Sequence, residues 1–218
     1  VSIVEAPLSN LSPRFRDIFR SFVEKGQIDV FPRAKKSSGA FCIHRLKHQP
    51  TYILMNFDGK LRDVLTLAHE VGHGINNELM RERQSALSFD SPLAVAEVAS
   101  TFVEDFVLES LAREAGDDLR LALMVAKLDD EMATIFRQIA CYRFEQELHM
   151  AFRAKGYLSH EEIGALFLRE MGAYLGPAVN LSPGSENWWV YWSHIRSFFY
   201  VYSYASGLII SKSLQQTV

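Results

Sequence analysis

Cysteine is scarce in this chain. Cys42 and Cys141 are the only two in 218 residues, and they lie far apart in apolar stretches. That predicts two buried free thiols in a reducing compartment and excludes a disulfide-stapled scaffold. Charge of one sign never accumulates either. Lys and Arg number 23, Asp and Glu 26, and the net charge of −3 is spread without blocks. This argues against a nucleic-acid or anionic-membrane partner. Long apolar runs are missing as well. "WWVYW" and "FFYVYSYASGLII" are broken by polar residues before reaching the roughly 20 residues of a membrane span. No charged-then-apolar N-terminal segment suggests a secretory leader. A soluble, cytoplasmic protein without a membrane partner is the expectation. With 48% hydrophobic residues, a sizeable core is available and disorder is excluded. Internal repeats and low-complexity tracts are absent.

What is present is mostly helical in period. "LSPRFRDIFRSFVEKG" offers Ser12 as N-cap, Pro13 in the first turn and Gly26 as a stop. Three short runs rich in β-branched and aromatic residues follow, predicting strands at about 28–31, 40–44 and 51–56. Asp58-Gly59 marks a turn. Helices are expected near 61–80, 92–114, 118–155 (Asp129 being a candidate break), 160–175 and 194–216. The fold class is therefore mainly α, with long helices and a small N-terminal β-sheet. No linker divides the chain, so one domain over 1–218 is expected. Its last helix is still strongly apolar at Ile209 and Ile210, eight residues before the end, which suggests a piece of something larger.

The segment "TLAHEVGHGINNEL" carries His69, Glu70 and His73. On a helix, residues four apart share a face, so both imidazoles can reach one ion at about 2.0–2.1 Å. Glu70 is rotated about 100° from His69 and flanks the ion rather than binding it. That is the position of a general base that deprotonates a zinc-activated water. The flanking "DVLTLA" predicts that this helix face is buried, where histidines and a glutamate need partners. Gly72 and Gly74 each cost about 1 kcal/mol of helix stability relative to Ala, which suggests that something approaches the backbone closely there.

A catalytic zinc needs a third protein ligand and an open position. A third histidine six residues after His73 is ruled out, because position 79 is Leu79. Glutamates are the alternative: Glu78, Glu82, Glu97, Glu104 and Glu109 follow. Glu78 and Glu82 point about 140° and 180° away from His73. Glu97 lies in "SPLAVAEVASTFVEDFVLESLA", with Ser91 read as N-cap and Pro92 in the first turn. A lone carboxylate in that apolar surround is costly to bury, and a metal ion explains it. Glu104, seven residues on, suits accepting the second ring N–H of a ligating histidine.

"HEVGHG" followed by "AEVASTFVE" resembles the thimet-oligopeptidase-like metallopeptidases, in particular their oligoendopeptidase F branch. "RAKKSSGAFC", "YILMNFDGKLRDVLTLAHE" and "HIRSFFYVYSYASG" agree, so the resemblance covers roughly residues 28–210. It implies zinc ligands His69, His73 and Glu97, with Glu70 as general base. It also implies a zincin-like, largely helical catalytic core whose channel admits short unfolded peptides. A histidine and tyrosines near the C-terminus would bind the scissile carbonyl and its oxyanion. Here these are His194 with Tyr202 preferred, then Tyr200, while Tyr204 lies in the same stretch. Members of the family are longer, so this chain is expected to lack an N-terminal helical lid and the last C-terminal helices. The implied activity is zinc-dependent endopeptidase action on short peptides. The alternative is a non-catalytic helical metal- or peptide-binding module.

The remaining features add less. "TYILMNF" is expected to offer a strand edge to an extended peptide beside the metal, with "SSGAF" as a flexible loop nearby and Gly39 admitting a ligand backbone. Tyr200, Tyr202 and Tyr204 cannot all face one cleft, so two at most are functional. His44, His48, His149 and His160 have no partner at ligand spacing and are read as structural or surface residues. Trp188, Trp189 and Trp192 are expected to pack a loop against the last helix.

Overall fold

The structure is a computed structural model that describes residues 1–218. Its helices are α1 (Ser2–Leu11), α2 (Pro13–Glu24), α3 (Leu61–Arg83), α4 (Val98–Glu114), α5 (Asp117–Met132), α6 (Gln138–Lys155), α7 (His160–Leu175), the short α8 (Trp188–Tyr191) and α9 (Tyr202–Gln215). Strands β1 (Ile28–Asp29), β2 (Phe41–Ile43) and β3 (Tyr52–Leu54) form one sheet in the order β1-β3-β2. The mainly helical class with a small sheet near the N-terminus holds. No helix is long and apolar enough to cross a membrane.

Two compact units are distinguished: 1–125 with 207–218, and 126–206. The first has its own core, in which Phe19 and Phe22 of α2, Ile53 and Met55 from β3 onward, Val71 and Ile75 of α3, and Val103 and Val107 of α4 are buried. The second is built round Cys141 and Phe144 of α6, Phe167 and Met171 of α7, and Val201. Trp189 and Trp192 are half-buried against that second core, whereas Trp188 is exposed.

Local signals explain most boundaries. The Ser12 hydroxyl accepts from Arg14 N–H at 3.2 Å, Pro13 opens α2, and Gly26 stops the chain at φ +65°. Ser159 and Glu162 form a capping box that fixes the start of α7 at His160. Helix α1, with Pro7 inside it, has no counterpart among the helices expected from the sequence. The helix expected over 118–155 is interrupted by a wider turn at Ala133–Arg137, not at Asp129. The helix expected from 92 starts at Val98, and Pro92 only opens a single tight turn over Leu93–Val95. Ser91 is not its N-cap; its hydroxyl accepts from Asn76 Nδ2 at 3.2 Å. The last helix begins at Tyr202, eight residues later than expected, because His194 lies in a tight turn over Ser193–Ser197 and Phe198 and Phe199 take φ of +45° and +56°.

One expectation about the sheet is corrected. The strand in "TYILMNF" exposes no edge: β3 is central, parallel to β1 on one side and antiparallel to β2 on the other. Pairing decides this, since Ile53 is opposite Ile28 on one side and Cys42 on the other. One face of this segment is turned to the core, where Thr51, Ile53 and Met55 are 1%, 2% and 1% exposed. The outer strand next to it is β2. The loop before β2 is pinned, since Asn56 Nδ2 donates to Ser37 O at 2.9 Å and Lys36 Nζ to Asp29 O at 3.0 Å. Gly39 is required there by its φ of +82°, not by close packing.

Candidate metal centre

Helices α3 and α4 of the first unit hold the site. His69 and His73 lie one turn apart on α3, and their rings meet edge to face with centroids 5.0 Å apart. Glu97 precedes the first residue of α4, with φ −92° and ψ 1°. Its Oε2 stands 3.3 Å from His69 Nε2 and 3.3 Å from His73 Nε2. Ser100 Oγ donates to the same oxygen at 3.2 Å and to Glu97 O at 2.9 Å. Glu97 is 2% exposed, so this carboxylate has left water.

Glycines set the approach. A Cβ on Gly72 would stand 2.5 Å from Ala99 O and 2.7 Å from Ser100 Cα. A Cβ on Gly207 would stand 2.6 Å from Glu97 Cβ. Glu97 and the first turn of α4 are thus held against two glycines that leave no room for a side chain. Gly74 faces elsewhere, where an added Cβ would stand 2.7 Å from the Phe22 ring. The two helix-weakening residues of the motif therefore mark close packing, Gly72 against backbone and Gly74 against an aromatic ring.

Glu104 lies two turns along from Glu97, and its Oε2 pairs with His69 Nδ1 at 2.9 Å. A neutral ring that donates through Nδ1 to Glu104 would leave the Nε2 lone pair free for a metal ion. Burial disfavours a charged His69, but Glu104 and Glu97 outweigh it and push His69 up to about 10. Burial also opposes ionisation of Glu97, yet His69 and His73 hold its carboxyl well below the usual carboxylate range. Glu70 is 6% exposed, and burial raises its pKa while His69 and His73 pull it down.

This donor set could hold a metal ion. Two imidazole nitrogens and one carboxylate oxygen lie within 4.8 Å of one another. The 3.3 Å separations are longer than the 2.7–2.9 Å of charge-assisted hydrogen bonds. They match the edge of a tetrahedron with metal–ligand bonds of about 2.0 Å, which is about 3.3 Å. An ionised carboxylate buried between two imidazoles is also a place that a cation stabilises.

His194 belongs to the second unit. Its Nε2 lies 2.8 Å from Tyr204 Oη, and its ring meets those of Tyr200 and Tyr204 with centroids at 5.3 and 5.5 Å. Tyr202 does not join this cluster; it is partly exposed against Tyr142, with centroids 6.3 Å apart. The rings of Tyr204 and Tyr200, and not that of Tyr202, are thus the ones gathered round His194. Tyr200 lies in the turn before α9 and Tyr204 in its first turn, so their approach is set by that turn and not by a shared helix face. Gly207 joins Glu97 through a tertiary contact that no local sequence signal marks, and Ser100 joins it through a hydroxyl three residues along the chain. Phe198 and Phe199 take positive φ, which costs a non-glycine residue about 1–3 kcal/mol.

A mainly helical fold that sets a His–His–Glu donor group beside a buried glutamate is the kind on which metallopeptidases are built. The chain belongs to peptidase family M3, whose family model matches residues 12–218. It is 31% identical over 219 residues to an oligoendopeptidase F homolog of Lactococcus lactis subsp. lactis (strain IL1403), covering 100% of this chain and 36% of that protein. The crystal structure of oligoendopeptidase-F from Enterococcus faecium superposes with a TM-score of 0.56 at 26% identity, over 72% of this chain and 28% of that one. The structure of PZ peptidase A with inhibitor 2 shares the fold, with a TM-score of 0.82 at 20% identity, over 96% of this chain and 37% of that one. The chain thus spans about a third of the length of the relatives it matches.

Proposed function

We propose that residues 1–218 form the catalytic core of a zinc-dependent endopeptidase that hydrolyses internal bonds of short peptides. The observation that carries this reading is the convergence of His69 Nε2 and His73 Nε2 on Glu97 Oε2. His69, His73 and Glu97 would hold the zinc, which supplies Lewis acidity toward water and a peptide carbonyl. Glu104 orients His69 through Nδ1. Glu70 takes the proton of the attacking water on its carboxylate and returns it to the leaving amide nitrogen. Burial keeps competing water away from this carboxylate.

Substrate selection by chain conformation has a candidate in β2. It is an outer strand of the sheet, and Asn77 Nδ2 of α3, the helix that carries Glu70, donates to Cys42 Sγ within it at 3.4 Å. An extended peptide added along β2 would be held by main-chain hydrogen bonds, which read shape rather than sequence. The oxyanion role that the resemblance gives to His194 is assigned here to His194 with Tyr204 and Tyr200, a set already joined by the 2.8 Å contact to Tyr204.

The test is Glu70→Gln, assayed with a short quenched fluorescent peptide on zinc-loaded protein. Zinc should remain bound while turnover disappears. Turnover close to that of the parent would refute the role of Glu70. Peptide binding without any cleavage in the parent, at full zinc occupancy, would favour a non-catalytic module.

A further inference from the structure

Glu145 lies in the middle of α6 and is 0% exposed. No lysine or arginine pairs with it. Its Oε1 accepts the backbone N–H of Phe199 at 2.8 Å, and His149 Nε2 stands 3.9 Å from the same oxygen. Its Oε2 is buried without a hydrogen-bond partner. A carboxyl group so placed is costly, and an apolar residue of the same shape would pack there without the penalty. The bond to Phe199 is therefore the reason to look for a role.

Phe199 is no ordinary acceptor's partner. It and Phe198 are bulky residues in a left-handed backbone region, at φ +56° and +45°. Such a turn persists only where its surroundings hold it. The Phe199 side chain packs on α6, against Tyr142 at 5.6 Å and His149 at 5.1 Å between centroids. The turn directly precedes Tyr200 and Val201, and Tyr204 follows one helical turn later. It thus decides how Tyr200 and Tyr204 meet His194.

We propose that Glu145 is a positioning residue: through the Phe199 N–H it locks the Phe198–Phe199 turn and so sets the His194–Tyr200–Tyr204 cluster. Its consequence for turnover rests on the function proposed above, but its consequence for the turn does not. The required feature is an acceptor at the Oε1 position, which glutamine also supplies, whereas leucine does not and aspartate falls short by one methylene.

The experiment is amide hydrogen exchange, resolved over residues 194–204, on the 218-residue chain and its Glu145→Leu, Glu145→Asp and Glu145→Gln forms. Exchange at Phe199 should quicken at least about tenfold in Glu145→Leu and Glu145→Asp, and Glu145→Gln should restore the parent rate. On zinc-loaded protein, kcat should fall about 10²–10³-fold in the first two with zinc content unchanged, and recover in Glu145→Gln. Should Glu145→Leu fail to fold, Glu145→Asp decides the matter. Unchanged exchange at Phe199 in both, or failure of Glu145→Gln to restore it, overturns the proposal. If the parent cleaves no peptide, the proposed function fails, and exchange alone still decides whether Glu145 holds the turn.

Discussion

Replacing Gly72 by alanine sets two effects of opposite sign against each other. In a helix interior, Gly→Ala is favourable by about 0.5–1 kcal/mol. The new Cβ, however, would stand 2.5 Å from Ala99 O and 2.7 Å from Ser100 Cα. Carbon atoms pack at about 3.5–4.0 Å, so the start of α4 must retreat by about 1 Å. The obstacle is backbone and cannot rotate aside. Overpacking of this kind costs about 1–3 kcal/mol, which outweighs the helix gain. A net loss of about 1–2 kcal/mol is expected, read from urea unfolding of zinc-free protein. The retreat also carries Glu97 away from the imidazoles it now meets at 3.3 Å. Zinc affinity, measured against a competing chelator, should fall by about 10–100-fold, the loss typical when a ligand's support is disturbed. Gly74→Ala is the control. Its Cβ would meet the Phe22 ring, so stability should fall while zinc affinity holds. Gly72→Ala protein as stable as the parent, with unchanged zinc affinity, would refute this reasoning.

Two further predictions follow from single contacts. Glu104→Ala removes the partner of His69 Nδ1 and should weaken zinc about 10–100-fold without changing the metal's stoichiometry, as a chelator titration would show. Burial pushes Cys42 up to about 12 and Cys141 up to about 11, so native-state thiol labelling should be slow at pH 8 and accelerate as pH rises. A thiol at about 11 is about 0.1% ionised at pH 8, against about a quarter for a free one, so ionisation alone slows Cys141 more than a hundredfold. Labelling of both as fast in native protein as in urea would contradict it.

Much of the site was legible because its residues are constrained locally. His69, Glu70 and His73 share one helix, and Glu97 stood out as a carboxylate in an apolar surround. What the chain did not disclose are features set by tertiary contact. Ser91 and Pro92 carry a proper helix start, yet α4 begins at Val98, after Glu97, whose backbone departs from the helix at ψ 1° and which is packed against Gly207. The "TYILMNF" strand reads as an edge or as a central strand from its sequence alone, and only pairing on both sides decides it. The helix expected from 194 fails for a similar reason. Its aromatic period is helical, but Glu145, distant in sequence, holds Phe199 in a turn that no local signal marks.

The central claim is that one zinc is held by His69, His73 and Glu97. The most direct measurement is a zinc titration of the purified chain and of its Glu97→Ala form against a competing chelator. The parent should bind one zinc per chain, and Glu97→Ala should bind it more weakly by orders of magnitude. A Glu97→Ala protein that holds one zinc with the parent's affinity would place the third ligand elsewhere and contradict the account.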